Sequence, residues 1–179
     1  SQSSNTVDMN LSFMNPIVNF EHNGSNATYN SMIHIAGDVY ALAYEGASNK
    51  ATISTIKITS AGSVTNSSFV ATEEHDDNNG EHNELIHLSG DKYVLFYKGK
   101  NNDGFAKVFK ITANGETIEQ LSSALEFAPN DYWEGSAVKM TDSTLVFTHT
   151  GQSYDGWIKT LKVASDGSTI TQVANKEHD

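Results

Sequence analysis

Three carboxylates in the chain have the residue type that glycoside chemistry requires. Glycosidases use a pair of Asp or Glu side chains, one as the acid and the other as the base or nucleophile. Glu134 could form such a pair with Asp155 or with Asp103, because all three lie in polar loop segments. Their spacing does not select one pair over the other. The sequence also contains no Gly-x-Ser-x-Gly motif, no phosphate-binding loop and no zinc-spaced histidine pair.

Aromatic side chains among Asn and Asp residues of the loops suggest a second chemistry. Apolar sugar faces stack on aromatic rings, while fixed polar groups bind sugar hydroxyls. The loops that we expect on one face of the molecule are 22–30, 75–83, 127–135, 45–51, 98–104 and 150–156. The candidate ligand-binding residues in or beside these loops are Tyr29, His82, Tyr132, Trp133, Glu134, His149, Tyr154, Asp155 and Trp157. Polar loops that are merely solvated would have a similar composition.

Three histidines recur at one position of a repeat, which favours a structural role. His22, His75 and His178 are each followed by Asn or Asp. A side chain that recurs in every repeat is typically architectural, so we expect these rings to fix a turn by hydrogen bonding. The acidic run at 76–81 offers oxygen ligands for calcium but lacks the spacing of an EF-hand. We interpret it as a solvated turn, and predict no metal site and no cofactor.

The composition limits the elements that can position these residues. The chain has 179 residues, 13 Gly, 2 Pro and no Cys, which suits one domain of short strands and excludes disulfides and cysteine nucleophiles. Its net charge of −11, without a cluster of Lys or Arg, excludes nucleic acid and anionic membrane surfaces as partners. The longest apolar runs are far too short to span a bilayer, so we predict no membrane insertion.

The chain contains one hairpin three times. Gly46, Gly99 and Gly151 are spaced by 53 and 52 residues, and the alignment continues from each without gaps. Each copy has four strand candidates, which in the second copy are 83–89, 91–98, 105–112 and 117–125. No stretch has the periodicity and caps of a helix. Repeated four-stranded antiparallel units of this length predict an all-β, β-propeller-like chain with three blades.

The repeated pattern resembles β-propeller-type repeats of secreted bacterial proteins. It reads Glu-His-Asp, then Tyr-x-Leu-x-Tyr-x-Gly, then Asp-Gly-[Phe/Trp]-x-Lys-x-x-Lys-[Ile/Val], then Asp-Gly-Ser-x-Ile-x-Gln, over residues 11–179. The resemblance implies a propeller-like fold and a secreted or cell-surface location. We predict one repeat domain over 1–179. It consists of an extra N-terminal strand at 11–21 and blades at 22–74, 75–126 and 127–179.

Three blades are too few for a ring, since propellers have four to eight. We expect a homo-oligomer in which two copies form six blades. A piece of a longer protein and an open, capped stack of sheets are the alternatives.

These features predict a non-catalytic module that binds a glycan or a protein at the loop face. Two alternatives are a glycoside-active enzyme that uses loop-face carboxylates and a structural assembly module. Because no catalytic constellation is evident, we expect binding rather than enzyme activity and assign no catalytic residue. The third copy has the most aromatic rim, since it carries His149, Tyr154 and Trp157, so a site is expected there first.

Overall fold

The computed structural model describes residues 20–65 and 68–178, whose strands form three antiparallel sheets. The strands of the first sheet are β1 (Thr28–Ala36), β2 (Val39–Glu45), β3 (Ala51–Lys57) and β4 (Ala71–Asp76). Those of the second are β5 (Glu81–Ser89), β6 (Lys92–Lys98), β7 (Gly104–Ile111), β8 (Ile118–Gln120) and β9 (Leu125–Ala128). Those of the third are β10 (Gly135–Thr141), β11 (Thr144–Thr150), β12 (Gly156–Val163) and β13 (Ile170–His178). The prediction of an all-β chain is confirmed.

In each sheet the strands follow one another in chain order, and in the second sheet β8 and β9 both pair with β7. Most of the predicted strand at 11–21 lies outside the described residues. The sheets span 28–76, 81–128 and 135–178, and the predicted blade boundaries stay predictions. None of the short helical turns in the described part of the chain is long and apolar enough to cross a membrane.

The repeated glycines lie in the turn that joins the second and third strands of each sheet. The N–H groups of Gly46, Gly99 and Gly151 donate to the carbonyl four residues later, at 2.8, 3.0 and 2.9 Å. The middle of the turn has left-handed backbone in all three sheets, as at Ser153 with φ 60°. A Cβ atom at Gly99 would lie 2.7 Å from the Phe105 ring. The turn therefore requires glycine for packing, and these positions carry no information about a ligand.

A side chain at the same position of each repeat stabilises the turn of the first hairpin in each sheet. The Nε2 atoms of His34 and His87 lie 2.9 and 3.0 Å from the carbonyl of the turn glycine three residues later. In the third sheet Lys139 takes this position and its Nζ lies 2.7 Å from Asp142 Oδ1. Histidine and lysine can replace each other here because only a donor to the turn is needed.

The second sheet lies between the other two, and β6 is buried on both faces. Tyr93, Leu95 and Tyr97 belong to the core shared with the first sheet. Val94 and Phe96 belong to the core shared with the third sheet. Successive side chains of a strand point to opposite faces, so a strand that is buried on both faces requires an uninterrupted run of apolar residues.

His75 does not make the turn-fixing hydrogen bond that the repeat predicts. Its ring packs edge-on against Tyr97 and Phe109, with centroids 5.1 and 5.2 Å away. Neither ring nitrogen has a hydrogen-bond partner among the described residues. His22, by contrast, pairs with Asn30, with Nε2 and Oδ1 3.1 Å apart. The prediction is wrong for His75 because that ring is used as a packing group, as Phe127 is at the equivalent place in the next sheet.

Acid will destabilise the protein through His75. Burial, helped by the charge of Lys107, lowers the pKa of His75 to about 3, whereas the unfolded chain has a value near 6.5. The unfolded state therefore binds the proton first, and stability falls as the pH drops below about 6.5 towards 3. We expect the free energy of unfolding from urea titrations to fall by roughly 2 kcal/mol between pH 7.5 and 5 through this ring.

The matched variant for this effect is His75→Phe, which copies the residue of the next repeat. We expect the variant to lose less stability over the same pH interval. An equal loss in both proteins would show that other groups cause the acid sensitivity.

Candidate functional site

The beginnings of β1, β5 and β10 lie together at the end of the molecule that carries the long loops. The Nδ2 of Asn83 donates to the carbonyl of Tyr29 at 3.0 Å, which joins β5 to β1. Strand β5 also contacts β10 on its other side. A depression of about 250 Å³ opens here, and we call it the first-strand pocket. Its lining residues are Tyr29, Asn30, His82, Asn83, Glu134 and Gly135.

Tyr29, His82 and Glu134 occupy the same position of the three repeats, since they are spaced by 53 and 52 residues. Tyr29 and His82 have left-handed backbone, with φ of 55° and 50°. The register of β1 and β5 breaks at these residues, so each strand bulges and aims its ring into the pocket. The two ring centroids are 4.6 Å apart. Positive φ is uncommon for large side chains, and such strain is concentrated at functional sites.

Charged side chains surround His82. Glu81 Oε2 lies 4.0 Å from His82 Nε2 and 3.5 Å from the Nζ of Lys98. Lys98 is only 4% exposed, and its Nζ lies 4.2 Å from the centre of the Trp133 ring. The indole N–H of Trp133 donates to Asp131 Oδ2 at 3.1 Å. The pocket therefore has a titratable ring in its wall, and beside that ring lie a buried cation and an indole that is 42% exposed.

The electrostatic environment sets the protonation of the two pocket rings. Burial lowers the pKa of His82, the charge of Lys98 lowers it further, and the carboxylates of Glu81 and Glu134 oppose this. The imidazole is therefore neutral near pH 7 and can accept a proton. The carboxylate of Glu81, followed by burial, raises the pKa of the Tyr29 phenol, which therefore remains a hydrogen-bond donor.

Three of the nine candidate residues line this pocket, namely Tyr29, His82 and Glu134. Trp133 lies beside it, with its ring centroid 6.1 Å from that of His82. Tyr132, predicted to contact ligand, is fully buried beneath the pocket. Its hydroxyl donates to the carbonyl of His82 at 3.2 Å, so it supports the backbone of the ring above.

The other four candidates lie at the rim of the third sheet. His149, Asp155 and Trp157 line a separate cavity of about 270 Å³. Tyr154 is 83% exposed at the tip of the turn and does not line it. Glu134 and Asp155 thus line different cavities, and Asp103 is buried. Neither of these two cavities is lined by two of the three carboxylates that the sequence allowed to pair.

The charged groups behind the pocket were not predicted from the sequence. Lys98 and Glu45 end β6 and β2 at equivalent positions, and Glu45 is 6% exposed. Glu45 accepts hydrogen bonds from Asn26 Nδ2 at 3.2 Å and from the N–H of Gly80 at 3.4 Å. A change of charge sign at one repeat position was the signal that could have found them.

In the acidic run at 76–81, the carboxylate of Asp76 is engaged in hydrogen bonds within the protein. Asp76 accepts hydrogen bonds from the Tyr97 hydroxyl at 2.7 Å and from the N–H of Asn78 at 3.0 Å. Among residues 20–65 and 68–178, no three His, Asp or Glu side chains are grouped so as to hold a metal ion.

Comparison with known proteins identifies similarity of fold. No protein-family model and no curated protein sequence matches the chain. Among solved structures, the chain is similar to a proposed 6-phosphogluconolactonase from Bacteroides fragilis, with a TM-score of 0.55 and 15% sequence identity. The match covers 83% of this chain and 41% of that chain. This chain therefore spans about two fifths of the length of that structure, and the low identity limits the likeness to the fold.

The comparison corrects the prediction of a non-catalytic module. The protein with the similar structure is described as an enzyme, so the finding favours catalysis over passive binding. It also tells against the expectation of binding rather than enzyme activity.

Proposed function

We propose that the chain is part of a hydrolase that opens a sugar-derived lactone at the first-strand pocket. The observation that carries this proposal is the convergence of Tyr29, His82 and Glu134 on one depression. These three positions have the same place in the fold and carry a phenol, an imidazole and a carboxylate. All three groups can donate or accept a proton, so the pocket has the residue types that general acid–base chemistry requires.

We propose further that the three sheets are blades of a β-propeller. The support is that each sheet is a meander of four strands, the last of which is divided into β8 and β9 in the second sheet. First strands of successive sheets also lie side by side. Three sheets over 41% of the similar chain correspond to about seven sheets over its full length, which lies within the range for propellers. The starts of first strands would then surround the central axis, where a pocket shared between blades is expected.

In the proposed reaction His82 is the general base. Its neutral imidazole takes a proton from water while the water oxygen bonds to the lactone carbonyl carbon. The bond from that carbon to the ring oxygen then breaks, and the imidazolium returns the proton to this oxygen. The product is the open hydroxy acid, and no further reactant is needed. Glu81, 4.0 Å from the ring, stabilises the imidazolium.

Other pocket residues have positioning roles in this proposal. The Tyr29 hydroxyl donates to the oxyanion that forms on the carbonyl oxygen. The exposed face of Trp133 stacks on the sugar. Glycoside hydrolysis is less well supported, because it requires two carboxylates across the substrate and Glu134 shares no pocket with Asp155.

A panel of substrates tests the proposal. Acid release at pH 7 is measured with a pH indicator for glucono-δ-lactone, its 6-phosphate and p-nitrophenyl glycosides, each against buffer alone. We expect the protein to accelerate opening of at least one lactone and to release no nitrophenol. Turnover of a glycoside without lactone opening would replace this proposal by the glycosidase alternative.

The outer face of the third sheet supports association with further sheets. Val138, Met140 and Ile158 are exposed there by 64%, 62% and 37%. The residues equivalent to Met140 and Ile158 in the second sheet are Leu88 and Ala106, which the third sheet buries. We propose that a second copy covers this face, as the predicted dimer requires.

Sedimentation equilibrium at micromolar concentration tests the dimer. We expect the mass of two chains for the protein and the mass of one chain for Met140→Glu, because a charge on this face opposes burial. A single-chain mass for the unaltered protein would contradict the dimer.

A further inference from the structure

The junction between the first and second sheets is closed by a network of three side chains. Asp76, at the end of β4, accepts a hydrogen bond from the Tyr97 hydroxyl at 2.7 Å. Its Oδ2 also lies 3.7 Å from the Nζ of Lys107, which donates to the carbonyl of His75. One carboxylate of the first sheet thus satisfies a hydroxyl and a cation of the second.

The junction between the second and third sheets has the same arrangement but lacks the carboxylate. His149 takes the place of Tyr97. His149 pairs with Trp157 as Tyr97 pairs with Phe105, and each partner is the second residue of the following strand. Ala128 replaces Asp76 at the end of the strand. Lys159 keeps the place of Lys107, and its Nζ donates to the carbonyl of Phe127 at 2.7 Å.

The deletion leaves a cavity of about 270 Å³ with unpaired polar groups in its wall. We call it the Ala128 cavity, since Ala128, His149 and Lys159 line it. His149 is 5% exposed, yet neither of its ring nitrogens has a hydrogen-bond partner among the described residues. Lys159 is 6% exposed and has no carboxylate within 4.0 Å in the described part of the chain. A buried donor without its partner is costly, so this arrangement favours an acceptor from outside.

The rest of the wall suits hydroxyl groups. Asp131 Oδ2 is occupied by the Trp133 indole, but its Oδ1 is buried without a partner among the described residues. Asp155 and the indole of Trp157 face the same space. The remaining amide groups are those of Asn130, Gln152 and Asn175. Carboxylates and amides around an indole ring are the surroundings in which sugar hydroxyls are bound.

We propose that the Ala128 cavity binds a sugar acid, whose carboxylate takes the place that Asp76 fills at the other junction. The carboxylate pairs with Lys159 and accepts a hydrogen bond from His149. The hydroxyl chain meets Asp131, Asp155 and the amides, and the carbon chain lies against Trp157. A simple anion would leave the carboxylate and amide acceptors unpaired and would be repelled by Asp131 and Asp155. A neutral polyol would leave the space beside Ala128, where Asp76 lies at the other junction, without a carboxylate. This site is separate from the first-strand pocket and does not depend on the proposed hydrolysis.

Calorimetric titration with two matched compounds tests the proposal. Gluconate and sorbitol have the same hydroxyl chain and differ only in the carboxylate at one end. We expect gluconate to bind at one site and sorbitol to bind at least about tenfold more weakly, because charge-assisted hydrogen bonds are the strong ones. In a heteronuclear NMR titration, gluconate should shift the indole N–H signal of Trp157 more than that of Trp133. Absence of gluconate binding, or equal affinity for sorbitol, would overturn the proposal.

Ala128→Asp supplies the missing carboxylate from the protein itself. We expect this variant to lose gluconate binding and to melt at a higher temperature than the parent protein, because its Asp copies Asp76. Lys159→Met removes the cation with little change of volume and should weaken gluconate binding at least about tenfold, which keeps the test decisive if the first variant does not fold. His87→Gln, outside both pockets, should bind gluconate normally. Unchanged binding in Ala128→Asp and Lys159→Met would place gluconate elsewhere.

Discussion

Replacing His82 with glutamine will lower kcat/KM for lactone opening by about 10²–10⁴-fold, the usual contribution of a general base. Glutamine preserves a polar side chain of similar reach but cannot take a proton from water. The charges of Glu81 and Lys98 remain beside it, so the pocket keeps its electrostatic field. Initial rates of acid release over a range of lactone concentrations separate kcat from KM, and the loss should fall mainly on kcat.

The control for this variant is His87→Gln. His87 pins the first hairpin of the same sheet through its bond to the turn carbonyl and lies outside the pocket. We expect its kcat/KM to stay within about twofold of the parent value. A His82→Gln protein that folds and retains full activity would exclude His82 as the base.

The pH profile of the parent enzyme gives an independent test. Burial lowers the pKa of His82 below its usual value, so the active neutral form persists as the pH falls to about 6.5 and is lost only below it. The rate should therefore be level near pH 7 and decline on the acid side.

The second large effect is on stability, and it comes from Phe96. This ring is completely buried between the second and third sheets, where it stacks on Phe147 with centroids 4.0 Å apart and planes 5° from parallel. It also meets the edge of Phe127 at 5.8 Å. Phe96→Ala removes the ring and leaves a cavity between sheets that cannot close without moving whole strands. We expect a loss of about 3–5 kcal/mol in the free energy of unfolding.

Urea denaturation followed by tryptophan fluorescence measures this loss. Tyr154→Ala is the control, because Tyr154 is 83% exposed and its truncation should change stability by less than about 0.5 kcal/mol. A loss below about 1 kcal/mol for Phe96→Ala would mean that the third sheet packs less closely on the second than described.

The sequence by itself determined the strands and their grouping, because the signals for these are local and repeated. The glycines at 46, 99 and 151 mark one turn, and its geometry needs only residues close in the chain. The unbroken apolar run from Tyr93 to Tyr97 is typical of a strand covered on both faces, and its side chains alternate between the two cores. Local backbone preference and side-chain period are sufficient for such predictions.

Only the tertiary structure decided which chemical groups meet, because those contacts join residues of different strands and loops that are 17 to 50 positions apart in the chain. Tyr132 looked like a loop aromatic, but packing of the third sheet buries it under His82. The position of Lys98 beside Glu81 and Trp133 depends on β5, β6 and the loop before β10 together. The Ala128 cavity is recognised only when the junction of the second and third sheets is compared with the junction of the first and second. A repeat pattern shows which positions are equivalent, whereas the packing of successive sheets determines which of their differences face one another.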